Sequence, residues 1–271
     1  MTPIMREMKF LLQKTAERVL RLFLPDMHRR IASLEWRLKC NQQALDFALK
    51  DDWCRWLYLN RGERLDATVD FFDPGRRRFH LERYLLAADY VENKAVADIA
   101  SGTGYGTKKL RAIGKAASVV GIDIDPLAVD YAMHKHACEG VRYVCASGDR
   151  TGLDDGSIDV VVSFETIEHV PDDIGLIREM SRLLRAGGRL ICSTPNRWPL
   201  DVAEHHVREY DVGSFRQLLE GFFEVNTIYN QNSGTPTAPF NRGQPAGIVE
   251  TKEQTAELAE CFIAVCTKPT A

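Results

Sequence analysis

The densest chemistry in the chain is Glu165-Thr166-Ile167-Glu168-His169-Val170-Pro171. If Glu165 opens a short helical turn, Glu168 and His169 project on its side, because residues three and four apart are neighbours. Two carboxylates and an imidazole would then converge, and crowded anions repel unless a proton or cation holds them. Further on stand His205-His206-Val207-Arg208-Glu209-Tyr210. Acids and imidazoles together suit Mg²⁺, Mn²⁺ or Zn²⁺ without choosing among them. A cation of this kind lowers the pKa of a coordinated hydroxyl and fixes its position. Without a metal, His169, His205 or His206 is the general base.

A second constellation is Val96-Ala97-Asp98-Ile99-Ala100-Ser101-Gly102-Thr103-Gly104-Tyr105-Gly106-Thr107, followed by Val119-Val120-Gly121-Ile122-Asp123-Ile124-Asp125-Pro126. It reads as a buried strand, a glycine turn, a helix and a second buried strand ending in an acid. Glycine suits a turn that visits φ > 0 and on which a side chain would hold a ligand off the backbone. Asp123 stands beside that floor, where a carboxylate accepts both hydroxyl hydrogens of a ribose. The spacing Gly102-x-Gly104-x-Gly106 is not the G-x-G-x-x-G of dinucleotide binders.

The run D-I-A-S-G-T-G-Y-G with G-I-D-I-D-P after it resembles motif I and the following acidic strand end of class I S-adenosylmethionine-dependent methyltransferases. That resemblance implies an α/β fold, a Rossmann-like seven-stranded methyltransferase sheet with an N-terminal helical extension. It implies S-adenosylmethionine as cofactor, held by Asp98, Ala100, Gly102, Gly104, Asp123, Ile124, Asp149, Arg150 and Phe164. Asp149 would accept from the adenine amino group. Tyr84, on a helix just before the first strand, would cover the methionine end, and Arg83 would reach a substrate. E-x-x-E-H, S-T-P-N (193–196) and H-x-x-E-aromatic (206–210) resemble metal-dependent small-RNA 2′-O-methyltransferases, which assigns Glu165, Glu168, His169 and His206 to a metal. E-x-x-E-H alone also resembles ubiquinone-pathway catechol O-methyltransferases. Many metal-free relatives carry E-H-V here, where the acid and histidine only shape the pocket.

The elements that must position these residues follow from periodicity. From Val96 strands and helices alternate, the pattern of a parallel sheet with helices on both faces. Leu127 to His136 is a crossover helix, 141–145 a third strand and 158–164 a fourth, and ligands bind beyond the carboxyl ends of such strands. Ala186-Gly187-Gly188 is a turn closing a helix before the strand 189–196. Val212 to Leu219 is a helix, 222–229 and 261–266 are late strands, and the Asn-, Gly- and Pro-rich 230–247 is a loop, a candidate lid over substrate. Phe71-Phe72-Asp73-Pro74-Gly75 is a turn, and a helix follows it to about Tyr90.

At 271 residues the chain can bury one substantial core and an appendage, placed at 71–271 and 1–70. The appendage reads as helices. Met8 to Leu24 is amphipathic and basic, which suits a peripheral contact with an anionic membrane or a partner. Its Lys14, Glu17, Arg18 and Arg21 exclude a transmembrane span. Ile31, Leu34, Leu38, Asn41, Leu45 and Ala48 repeat at three-four spacing, a seam for a homodimer. A net charge of −3 and a pI near 6.2 disfavour a nucleic-acid partner. Seven cysteines without a C-x-x-C pair suggest reduced thiols and a cytoplasmic home. The expectation is an O-methyltransferase acting on a hydroxyl of a small-molecule or saccharide acceptor, from a surface polysaccharide or glycosylated natural product. RNA ribose or catechol O-methylation is the alternative, and a non-catalytic cofactor-binding partner subunit is the alternative of another class.

Overall fold

The computed structural model describes residues 31, 34–35, 37–39, 41–62, 64–198, 200, 205–234 and 243–270. The amphipathic segment 8–24 and the centre of the 230–247 loop lie outside them. The chain divides into two units after Asn60. In the first, α1 (Asp52–Leu59) starts at Asp51, whose side chain accepts from the Cys54 N–H, and it buries Cys54 and Leu57. Of the expected seam, Ile31, Leu34, Leu38 and Leu45 are exposed and Ala48 is buried.

The second unit is built on one sheet. In chain order it holds α2 (Pro74–Ala88), β1 (Ala95–Ile99), α3 (Tyr105–Ala112), β2 (Ser118–Asp123), α4 (Pro126–His136), β3 (Val141–Cys145) and β4 (Ile158–Phe164). There follow α5 (Asp173–Leu183), β5 (Leu184–Pro195), α6 (Val212–Glu220), β6 (Glu224–Asn232), β7 (Gly247–Glu250), a 3₁₀ turn (Glu253–Leu258) and β8 (Cys261–Thr267). The strand order is β3-β2-β1-β4-β5-β8-β6-β7. The first five are parallel, and β8, β6 and β7 close the edge antiparallel.

Alternation along each buried strand splits the core in two. Ala97, Ile99, Val120, Ile122 and Val161 face Leu176, Ile177, Met180 and Phe215 of α5 and α6. Val96, Val119, Val160, Val162 and Ile191 face Tyr84, Ala87 and Leu110 of α2 and α3. Side-chain caps fix the helix entries, from Asp73 on α2, Asp125 on α4, Asp172 on α5 and Asp211 on α6. Helix α3 has none, since left-handed Gly104 precedes it, which leaves its first N–H groups for a ligand.

Among the described residues the sheet has eight strands where seven are expected. The extra one is β7, four residues paired antiparallel with 229–232 at the edge. The Ala186–Gly188 turn is present inside β5. Ile158 pairs with Leu184 and Val160 with Arg189, so residues 185–188 bulge out between them, with Gly187 at φ +70°. Among the described residues no helix is long and apolar enough to cross a membrane.

Candidate active site

The glycine turn leaves the buried end of β1 through three left-handed residues, Ala100 (φ +60°), Gly102 (φ +56°) and Gly104 (φ +81°). A Cβ on Gly102 would meet nothing within 4 Å, so open space lies over the turn there. One on Gly104 would strike the Ala132 Cβ at 2.5 Å and the Tyr143 ring at 2.7 Å. One on Gly106 would fall 1.9 Å from the ring of Tyr84. Only the last two glycines are therefore demanded by neighbouring atoms.

Asp123, at the tip of β2, accepts from the Gly102 N–H at 2.7 Å on Oδ2 and from the Asp125 N–H at 3.0 Å on Oδ1. A carboxylate has about four acceptor positions, so each oxygen keeps one, the number that two ribose hydroxyls require. Ile124, beside it, is 69% exposed, an apolar side chain with no protein cover. Asp149 and Arg150 are exposed past the end of β3, and the Ser147 hydroxyl donates to Asp149 in a tight turn. Asp98 is fully buried and accepts from Thr107 Oγ1 at 2.7 Å and from the Tyr84 hydroxyl at 3.4 Å. Burial raises its pKa to about 7 against the pull of those donors. The Tyr84 ring stands edge-on to Phe164 at 5.0 Å and to Tyr105 at 5.5 Å. One tyrosine thus touches the ends of both β1 and β4, which pair in register.

Beyond β4 the structure separates what the spacing predicts together. Glu165 sits at φ +51°, in the left-handed region, so it cannot open a helical turn. The turn begins at Thr166, whose carbonyl accepts from the His169 N–H. Glu165 consequently swings away to fully buried Arg83, with Oε1 3.3 Å from Nη1. Ser193 Oγ and Cys261 Sγ also donate to that oxygen, at 3.0 and 3.2 Å. Arg83 is completed by Gln231 Oε1 at 2.6 Å and by Cys261 Sγ. It does not reach outward as the sequence suggests. Burial disfavours its charge, and Glu165 together with Cys261, Tyr105 and Glu168 more than restores it, so its pKa lies above the usual value.

Glu168, His169 and His206 remain a cluster, with one ligand atom from each all within 4.8 Å of one another. Glu168 is 1% exposed, and its Oε2 accepts from Thr194 at 3.3 Å. Its Oε1 is buried with no hydrogen-bond partner, 3.8 Å from His169 Nε2. Burial first, and the charge of Glu165 second, push this carboxyl well above the usual range. The His169 and His206 rings meet edge-on at 4.7 Å, and Trp198 stacks on His206 at 6.1 Å. His205 contributes its carbonyl, 3.0 Å from His169 Nδ1. Three of the four metal candidates are brought together, and Glu165 is not among them.

The comparisons bear on this geometry. Residues 97–192 match the family model described as a methyltransferase domain. That stretch of the chain is similar to a methyltransferase domain, and the sheet around it has the α/β, Rossmann-like methyltransferase fold. Within the matched residues lie the glycine turn, Asp123, Asp149 and the Glu165–His169 turn. A probable S-adenosylmethionine-dependent methyltransferase of Mycobacterium tuberculosis is 31% identical over 172 residues, 60% of this chain and 61% of its own length. The chain thus spans about three-fifths of that relative. A ubiquinone biosynthesis O-methyltransferase of Xanthomonas oryzae is 38% identical over 44% of this chain and 51% of its own length. Among solved structures, a complex of the Haloferax volcanii Trm112 methyltransferase activator with a methyltransferase contains a similar chain. Its TM-score is 0.58 at 18% identity, over 72% of this chain and 94% of that one, and it shares the fold.

The glycine turn also has a cover that the motifs do not announce. Arg64 reaches Asp125 at 3.1 Å and Asp123 at 3.8 Å. The Leu65 carbonyl accepts from Thr103 in the glycine turn. Asp66 is buried against His136 at 2.7 Å and Tyr131 at 3.0 Å. Arg76 and Arg77 donate to the carbonyls of Arg61, Gly62 and Ala67. Arg76 and Arg77 thereby brace this loop, while Arg78 donates instead to the Ser233 carbonyl at 2.8 Å. Asp66-x-Thr68, where both the N–H and the hydroxyl of Thr68 bond the acid, is the local signal of a built turn.

Proposed function

We propose that this chain transfers the methyl group of S-adenosylmethionine to a hydroxyl of a saccharide acceptor. The contact of Tyr84 with both Asp98 and Phe164 carries the reading, because it puts the glycine turn beside the acid–histidine turn at adjacent strand ends. The ribose would take the two open acceptor positions of Asp123, the adenine would lie against Ile124 with Asp149 at its edge, and Tyr84 would close over the methionine end. The acceptor oxygen attacks the methyl carbon in line, a C–O bond forms, and the C–S pair returns to sulfur as a neutral thioether. An aliphatic hydroxyl must lose its proton as this happens, and the ring of His169 takes it. Buried Gln231, Asn232, Ser233 and Glu260, at the ends of β6 and β8 nearest this turn, bond one another, Arg83 and the backbone, and so back this strand end with a fixed polar layer.

The orphaned Oε1 of Glu168 favours a second component, a divalent cation on Glu168, His169 and His206. A buried carboxylate without a partner is costly, and a cation offsets that cost. Bound there, Mg²⁺, Mn²⁺ or Zn²⁺ would supply acidification of a coordinated hydroxyl. The 38% identical ubiquinone-pathway relative favours a catechol as the competing acceptor class.

The test is the purified full chain with labelled S-adenosylmethionine and four acceptor pools: nucleotide sugars, polysaccharide fragments, catechols and small RNA. Each pool is run with chelator and with each metal restored. Labelling of a sugar hydroxyl is expected. Failure to bind the cofactor by calorimetry would remove the whole reading, and tight binding without turnover of any pool would point to a partner subunit.

A further inference from the structure

The segment 205–210 lies against the Glu165–Pro171 turn as a strap. The Val207 N–H donates to the Glu168 carbonyl at 2.9 Å, and the Tyr210 hydroxyl donates to Asp173 at 2.6 Å. Between them Arg208 sends Nη1 to the carbonyls of Ile167 (3.2 Å) and Val170 (2.7 Å), and Nη2 to that of Pro171 (2.7 Å). Nη1 also lies 3.2 Å from Asp173. One planar guanidinium therefore grips the turn on both sides of Glu168 and His169, with no hydrogen bond to either side chain. A lysine has the charge but not the fixed fork of donors.

The strap decides the chemistry of one ring. A carbonyl only accepts, so the contact of the His205 oxygen with His169 Nδ1 at 3.0 Å requires the hydrogen on Nδ1. The lone pair is then left on Nε2, the atom that faces Glu168. This is the minor tautomer of a free imidazole in water, so something must impose it. We propose that Arg208 is a positioning residue which, by locking the 205–210 strap to the turn, holds His169 in its Nδ1–H form with Nε2 ready to take a proton or a cation. The inference deepens the function proposed above and rests on it for the use made of Nε2.

The experiment is long-range ¹H–¹⁵N spectroscopy of the full chain labelled at histidine nitrogens, in chelator at pH 8, with His169 assigned through His169→Gln. The wild type is expected to show a protonated Nδ1 and an unprotonated Nε2 at His169. Arg208→Ala and Arg208→Lys are both expected to move the pair toward the averaged values of a free ring. In parallel, kcat should fall roughly 10- to 100-fold with cofactor affinity unchanged. An unshifted ¹⁵N pair in both variants, or a wild-type ring protonated on Nε2, overturns the proposal. Because Arg208→Lys keeps the charge, wild-type behaviour in that variant would overturn the role of the fork. The spectra need no acceptor, so a clamp that behaves as described in a chain that methylates nothing would fail the function and not the clamp.

Discussion

Asp123 accepts the backbone N–H of Gly102 at 2.7 Å, and so the acid expected to bind the ribose also shapes the turn expected to carry the cofactor. Removing it affects both. Asp123→Ala should weaken S-adenosylmethionine binding by about tenfold or more, because charged hydrogen bonds in a buried site are lost. Isothermal calorimetry checks this, and unchanged affinity would displace the cofactor from this strand end.

Asp98 gives a pH dependence. Its pKa rises on folding from 3.8 to about 7, with burial the cause. The folded state then holds the proton more tightly than the unfolded one, so stability falls as pH rises across that window. Asp98→Asn should accordingly raise the melting temperature of the free chain at pH 8 and much less at pH 5. A cationic cofactor favours the ionised acid, so wild-type affinity should drop below pH 7 and the Asn variant should bind weakly at every pH. Equal melting gains at both pH values would count against the account of Asp98.

Glu179 behaves with the opposite sign. Arg182 donates to both of its oxygens, and Thr151 donates through its N–H and its hydroxyl, which together lower its pKa from 4.5 to about 2. That stabilisation is complete above pH 4.5 and is lost as pH falls toward 2. Glu179→Gln should cost about 1–3 kcal/mol at pH 7, read from urea melts. The penalty should shrink in acid.

Gly104→Ala tests the backbone of the turn. The position needs φ +81°, and the new Cβ would press on the Ala132 Cβ and the Tyr143 ring. A loss of about 1–3 kcal/mol is expected, together with weaker cofactor binding. Gly102→Ala meets no neighbour and bears the backbone strain alone, so it should be milder in stability. The reverse order in melting temperature would refute this assignment of strain.

The parallel half of the sheet was legible because buried strands are short apolar runs and their turns are marked by glycine and by capping Asp. The ends of β2, β3 and β4 therefore fall where periodicity puts them. Glu165 was not legible, because a left-handed non-glycine residue leaves no sign in composition and yet reverses the direction of its side chain. Nor were Arg64 and Arg208. Arg208's partners are mainly carbonyls, which every residue carries, so no spacing of residue types points to them. The edge strand β7 was hidden by its brevity, being four residues after a glycine- and proline-rich stretch.

The ring of Tyr84 occupies the volume that any side chain at Gly106 would need. Position 106, in a different helix, can thus diverge only after position 84. A larger residue at 106 becomes viable after Tyr84 has shrunk, and the intermediate with both small leaves a void beside Phe164 and Asp98. A lineage that trades one for the other must pass through a chain with a loosened cover over its cofactor site, and single-step drift at position 106 is closed to it while the Tyr84 ring stands.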